Sequence, residues 1–372
     1  MQANASAKIL TPFQLGPFTL RNRVVVASLT RCRTGKDGVP NDLMVEYYRQ
    51  RAKDAGLVLG EATAIRLEHN SFIGAAVTAN QAQAEGWKKI VDAVHEEGAI
   101  FFTQLYIPGR VLTTKHYGVG PIGPSAIPLK GETHGVGGMR VAYEMPKEMT
   151  QEDIDEVQGW FVESAKLAKQ AGFDGVEIHA ANGYLVDQFL RTSANHRKDK
   201  YGGPVENRAR FLLEIIDKLT EVYPYNQIGI KLSPVGRYQE MRDDDPESLY
   251  KYVLAEVDKR GLAYVQLREA DSTDGPDSGD KQIAEVAKFF RPHFKGTLMS
   301  NGSGMDIKKP LELVEADIAQ LHAFGWLYLS NPDLPERIRN GWPLAAPDAT
   351  KLYGSGEGAT GYSDYPRYTP SQ

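Results

Sequence analysis

The chain has 372 residues, 41% hydrophobic and 24% charged, with a formal net charge of -5. This is the balance of a globular protein. The 43 Lys and Arg are scattered among 48 Asp and Glu, which excludes a basic stripe for nucleic acid. A single cysteine, Cys32, excludes an internal disulfide and any Cys-ligated zinc or iron–sulfur centre.

In chain order, residues 1–8 are polar and lack the apolar core of a signal peptide. No apolar run approaches the ~18 residues of a membrane helix, so a cytoplasmic protein is expected. Leu10–Leu20 reads as a hairpin turning at Gly16-Pro17. A repeated junction follows, in which a charged helix end meets glycine and then an apolar strand. Gly56 precedes Leu57-Val58-Leu59, Gly98 precedes Ala99-Ile100-Phe101, Gly172 precedes Phe173 to Val176, and Gly261 precedes Leu262 to Val265. Glycine beyond a helix end takes the left-handed conformation that caps it. Further strands are expected over 24–29, 228–232, 297–299 and 321–324. Helices are expected over 42–54, 84–97, 151–171, 206–222, 247–259, 281–290 and 311–319. The clearest helix carries Phe211, Leu212, Ile215, Ile216, Leu219 and Val222 on one stripe, with Pro204 near its start.

Apolar strands without strict alternation suit a sheet covered on both faces, and alternating β and α units imply parallel strands. About eight such units predict a (β/α)8 TIM barrel, which takes ~250 residues. The surplus falls in long βα loops at 107–149 and 269–280, in the N-terminal hairpin closing the barrel bottom, and in a C-terminal arm from about residue 343. Nothing reads as a linker, so one domain over 1–372 is expected. An open doubly wound sheet is the competing fold.

Active sites of such barrels lie where the strands finish. The ends here are Ser28-Leu29-Thr30, Glu61-Ala62-Thr63, Gln104-Leu105-Tyr106, Glu177-Ile178-His179 continuing to Tyr184, Lys231, Ser300 to Gly304, and Phe324-Gly325-Trp326. His179, Asn182 and Tyr184 each offer a hydrogen-bond donor while neutral at pH 7. Together they suit gripping a carbonyl or phenolate oxygen and supplying a proton, yet they include no nucleophile. Each residue also has a plainer reading: a structural histidine, a lysine reaching solvent, glycines that merely turn. Company at one barrel end favours a site. Gly302, Ser303 and Gly325 stand where backbone N–H groups cradle phosphate in this fold. No Gly-x-Gly-x-x-Gly follows a strand, so a Rossmann nucleotide site is not supported. Glu177 and His179 share a strand face and could begin a metal site, which keeps a metal-dependent lyase or hydrolase as an alternative.

The ordered blocks Leu20-Arg21-Asn22-Arg23, Gly60-Glu61-Ala62-Thr63, Gln104-Leu105-Tyr106, Gly172 to Gly175, His179 to Tyr184, Asp187-Gln188-Phe189, Tyr201-Gly202-Gly203, Glu206 to Phe211, Asn331-Pro332-Asp333-Leu334 and Gly361 to Pro366 run over nearly the whole chain. In these the sequence resembles the Old Yellow Enzyme family, FMN-dependent ene-reductases on a TIM barrel. The resemblance implies FMN across the barrel mouth, reduced by NADPH or NADH, and small enals, enones or quinones as oxidants. Thr30 would bond the flavin carbonyl near N5, Gln104 the pyrimidine edge, and Lys231 would lie near N1. Ser28, Ala62, Gly302, Ser303, Gly325 and Trp326 would complete the cofactor contacts. His179 and Asn182 would hold the substrate oxygen, Tyr184 would protonate the α-carbon, and Tyr106 and Tyr353 would wall the pocket. A monomer or homodimer without metal, nucleic-acid or membrane partner is implied.

Several positions depart from the family pattern. Ser28 replaces a proline, Lys231 an arginine, Trp326 the arginine that contacts phosphate, and Tyr106 a frequent tryptophan. The segment 72–81 lacks the usual Pro-Gly before its Gln. Cys32 lies two residues past Thr30, where one subgroup carries cysteine. These departures keep a catalytically altered flavin-binding relative in view.

Overall fold

The computed structural model describes residues 7–135, 139–270, 283–302, 304–353 and 358–370. Eight parallel strands close into a barrel in chain order: Val24–Val26, Leu57–Ala64, Ile100–Tyr106, Gly175–Ala180, Ile228–Leu232, Tyr264–Arg268, Leu298–Asn301 and Leu321–Phe324. They are called the first to eighth strands below. The barrel replaces the competing open sheet, because the eighth strand pairs with the first, Ala323 opposite Val25. No described helix is long and apolar enough to cross a membrane.

Two faces of each strand do different work. Val176, Ile178 and Ala180 point outward into the core shared with the helices, where Phe211, Leu212, Ile215 and Ile216 are fully buried. Inward-facing Val25, Leu57, Leu59, Phe102, Tyr264, Met299 and Leu321 fill the lower barrel. The expected hairpin, Phe13–Leu15 paired with Phe18–Leu20, closes that end by adding Leu15 and Leu20 to this cluster.

Large interior rings require small inward neighbours. A Cβ on Gly229 would lie 2.3 Å from the Tyr264 ring, and one on Gly175 would lie 2.4 Å from Phe102. Both glycines are inward positions, so Glu177 and Lys231, two residues further on, also face the interior. Gly229→Ala should destabilise the protein by about 1–3 kcal/mol through overpacking. Urea unfolding checks this, and an unchanged midpoint would contradict it.

The helix junctions agree with expectation at Gly172 and Gly261, which cap the helices Gln151–Ala171 and Pro246–Arg260 in the left-handed region. Gly56 differs. Its φ is not positive; a Cβ there would meet the Asn22 carbonyl oxygen at 1.9 Å, so close backbone approach is what demands glycine. The second helix begins at Gln81 rather than residue 84, because Asn80 and Gln83 form a reciprocal capping box. The segment expected to be helical over 281–290 is helical only at Val286–Phe290; residues 281 and 282 lie outside the described residues. Glu269 sets its start by accepting the Val286 and Ala287 N–H groups. The helix expected over 311–319 runs Lys308–Glu315, and Asp317 then takes a positive φ.

Candidate functional site

Above the apolar lower barrel, the inward layer turns polar. Glu177 pairs in register with Gln104, and His179 with Lys231, which in turn pairs with Gln266. The Glu177 carboxylate accepts from Gln104 Nε2 at 2.6 Å and from Gln266 Nε2 at 2.9 Å. Ser28 Oγ donates to Gln104 Oε1 at 2.8 Å. This layer is the floor of a cavity of about 490 Å³, a size typical of sites for small molecules and cofactors.

The loop after the fourth strand carries the donors and is rigidly built. Asn182 has φ 58° and Gly183 φ 79°, a turn that brings both ends of the loop under side-chain control. Ser233 Oγ accepts the Asn182 N–H at 2.9 Å, and buried Asp187 accepts the Gly183 N–H at 2.9 Å. Gln188 Nε2 donates to the Gly183 carbonyl at 2.7 Å and to the Pro108 carbonyl at 3.0 Å. A Cβ on Gly183 would lie 2.5 Å from Gln239 Cβ, so no larger residue fits this corner. The residues Asp187 and Gln188 are therefore the struts of the His179–Tyr184 loop.

The rings of His179 and Tyr184 meet edge to face at 4.9 Å, and Tyr106 meets Tyr184 edge to face at 5.2 Å. Burial, reinforced by the charge of Lys231, holds the His179 imidazole well below its usual pKa, so the ring is neutral at pH 7. Burial, then Tyr106 and Tyr353, pushes the Tyr184 phenol well up, so it keeps its proton. Burial lowers Lys231 to about 8 against the opposing pull of Glu177. Glu177 is itself raised by burial, with Lys231 and Gln104 acting the other way.

The cavity gathers most of the residues singled out from the strand ends. Ser28, Thr30, Ala62, Gln104, His179, Asn182, Tyr184, Lys231, Gly302, Gly325, Trp326 and Tyr353 all line it. Ala62 reaches it because the second strand slips register between Leu59 and Ala62. Tyr106 is not among the lining residues. Its hydroxyl donates to Asn70 Oδ1 at 2.9 Å, and its ring meets Tyr184 edge to face. Ser303 lies outside the described residues. Cys32 does not line the cavity, and burial raises its thiol to about 12.

Sequence reasoning passed over Arg268, Tyr238, Gln239, Phe72 and Leu352, which also line the cavity, and named Asn301 only as part of a strand end. Arg268 ends the sixth strand, so the strand-end rule applied there would have found it. Tyr238 and Gln239 sit in the loop after the fifth strand, where no periodic pattern marks them. The Glu177–His179 pair does not begin a metal site: Glu177 is engaged by two glutamines, and among the described residues no group of three or more His, Cys, Asp or Glu could hold a metal.

The family model for the NADH:flavin oxidoreductase / NADH oxidase family matches residues 8–345. The chain belongs to the Old Yellow Enzyme family.

An old yellow enzyme homologue from Zymomonas mobilis superposes with a TM-score of 0.91 at 34% identity, covering 97% of this chain and 100% of that one. Morphinone reductase in complex with tetrahydroNAD superposes with a TM-score of 0.88 at 38% identity, covering 97% and 98%. A probable flavin mononucleotide-dependent alkene reductase of Leishmania infantum is 35% identical over 364 residues, which is 96% of this chain and 97% of that protein. FMN is the cofactor that this family membership brings. The Old Yellow Enzyme fold present here fits it on structural grounds. His179 Nδ1 and Asn182 Oδ1 are buried beside the cavity with no protein partner. At the opposite side, Gly302 (φ 125°) and Gly304 (φ 57°) hold backbone conformations that L side chains rarely adopt, and Gly304 leaves open space where a Cβ would stand. Glycines of this kind allow close backbone approach to an anion.

Proposed function

We propose that His179, Asn182 and Tyr184 carry the substrate half of an FMN-dependent reduction of activated C=C bonds in α,β-unsaturated carbonyl compounds. The observation that carries this reading is three neutral hydrogen-bonding side chains, two of them with an unpartnered buried polar atom, at one wall of a cavity that Gln104 and Lys231 also line. FMN held in this cavity would supply hydride chemistry, with a nicotinamide as the source of electrons and the substrate's β-carbon as their destination.

The chain's own residues do the rest. The imidazole of His179 and the amide of Asn182 donate to the substrate carbonyl oxygen, drawing charge onto it and activating the alkene. Because the imidazole is neutral, it polarises that oxygen without a competing proton transfer. The Tyr184 phenol, protonated throughout the neutral range, delivers its proton to the α-carbon. Ser28, Thr30, Ala62 and Gln104 would hold the flavin ring, Lys231 would serve its N1 side, and Gly302, Ser303, Gly325 and Trp326 would hold the phosphate. Tyr353 walls the substrate side, and Tyr106 supports Tyr184 from behind. We take the protein to work as a single cytoplasmic domain with NADPH as reductant, acting as an NADPH dehydrogenase on small enals, enones and quinones.

The purified protein should be yellow, bleach on anaerobic addition of NADPH, and recolour with cyclohexenone. A colourless protein that takes up no added FMN would refute the reading. Faster bleaching by NADH would reverse the proposed reductant preference.

A further inference from the structure

Glu177 has no part in the chemistry above, yet both of its carboxylate oxygens are hydrogen-bonded in the polar layer beneath the cavity. It is fully buried on the fourth strand, two residues before His179 and on the same inward face. Its two oxygens accept amide hydrogens from two different strands, Gln104 on the third and Gln266 on the sixth. Lys231 comes inward from the fifth. The third and sixth strands thus meet on one carboxyl group of the fourth, and Lys231 lies in register with Gln266 on the strand between. Amide donors on both oxygens suit the ionised form, which is acceptor-only.

We propose that Glu177 is a positioning residue for the flavin site: its carboxylate, held between amides of two strands, orients the Gln104 amide and is the counter-charge to the inward-facing Lys231. The inference rests on the assignment of Lys231 to the flavin N1 region.

The physical argument has two parts. With a carboxylate against its nitrogen, the Gln104 amide has only one orientation. Its oxygen then faces Ser28 Oγ, as observed, and its second N–H is left for the cavity. A lysine taken out of water also loses its proton unless an opposite charge is near. Lys231 is in that situation, with burial and Arg268 both lowering its pKa and Glu177 alone opposing them. The other titratable groups around Glu177 are Tyr264 from the sixth strand, whose phenol burial keeps protonated, and neutral His179. Neither supplies a replacement negative charge. An arginine at 231 would need no such counter-charge, because it does not deprotonate in proteins.

The test reads the midpoint potential of bound flavin against pH from 6 to 10 in wild type, Lys231→Arg, Glu177→Gln and Gln266→Met. A charged Lys231 favours the reduced, anionic cofactor, so the potential should fall more steeply above the pH at which that charge is lost. The wild-type profile should break near pH 8, the value to which Lys231 is lowered, and Lys231→Arg should remove the break. Glu177→Gln should move the break down by roughly one pH unit or more. Gln266→Met, which removes one donor from the carboxylate without touching the cofactor, should move it in the same direction by less. It carries the test alone if Glu177→Gln fails to fold. A break that Lys231→Arg removes but neither other variant moves overturns the role of Glu177. A profile that Lys231→Arg leaves unchanged overturns the placement of Lys231, and the proposal with it.

Discussion

Tyr184→Phe should slow reduction of an enone by about 10²–10⁴-fold, the usual worth of a positioned general acid. The same variant should leave reduction of the flavin by NADPH close to wild type. Only one hydroxyl is lost, and the ring is retained against His179 and Tyr106, at 4.9 and 5.2 Å. The loop itself is held by Ser233, Asp187 and Gln188, none of which bonds the Tyr184 hydroxyl. Quinone reduction needs no protonation at carbon, so it should survive far better than enone reduction. Anaerobic stopped-flow measurement of the two half-reactions separates these outcomes. Equal slowing of both oxidants would mean that Tyr184 shapes the pocket rather than delivering a proton.

Replacing both His179 and Asn182 with alanine should weaken binding of a simple phenol by about a hundredfold. A hydrogen bond to a charged oxygen contributes roughly 1.5–3 kcal/mol. Losing two removes about 3 kcal/mol or more, and each 1.4 kcal/mol is tenfold in Kd. Bound phenolate should reveal itself as a long-wavelength flavin absorption band, and titration of that band gives the Kd directly. Both side chains have a buried polar atom beside the cavity without a protein partner, so their removal leaves few internal bonds broken. The double variant should therefore remain yellow and folded. Phenol binding at wild-type strength would remove the oxygen-holding role from this pair.

The two experiments divide the site cleanly, because the same loop presents both functions. His179 belongs to the rigid end of the fourth strand, while Asn182 and Tyr184 stand on the turn beyond it. Asn182 depends on that turn's positive φ, and the next residue, Gly183, admits no side chain because a Cβ there would lie 2.5 Å from Gln239 Cβ. Lys231 and Gln104 in the floor are set by strand register and are insensitive to the loop.

Much of this organisation is local information. The period-3.6 stripe from Phe211 to Leu219 and the glycine caps at 172 and 261 encode helices and their ends without reference to the rest of the chain. Eight such repeats, with right-handed crossovers, leave few topologies open. Once the topology is a parallel barrel, the strand-end rule selects Thr30, Gln104, His179 and Lys231 from sequence position alone. The errors came where local signals compete. Gly56 matches a cap by pattern but serves a backbone approach to Asn22, a contact 34 residues away. The helix at 286 starts where Glu269 supplies acceptors, which no local window contains.

What the sequence by itself determined was the element order, the barrel, and which residues end its strands, because hydrophobic period and glycine chemistry act over a few residues. Only the tertiary structure decided how those strand ends meet. Register across the third to sixth strands brings Gln104, Lys231 and Gln266 to Glu177. The register slip in the second strand turns Ala62 to the cavity, and Tyr106 spends its hydroxyl on Asn70. These outcomes depend on contacts between residues tens of positions apart in a closed, densely packed interior, where each side chain's direction is set by its neighbours on other strands.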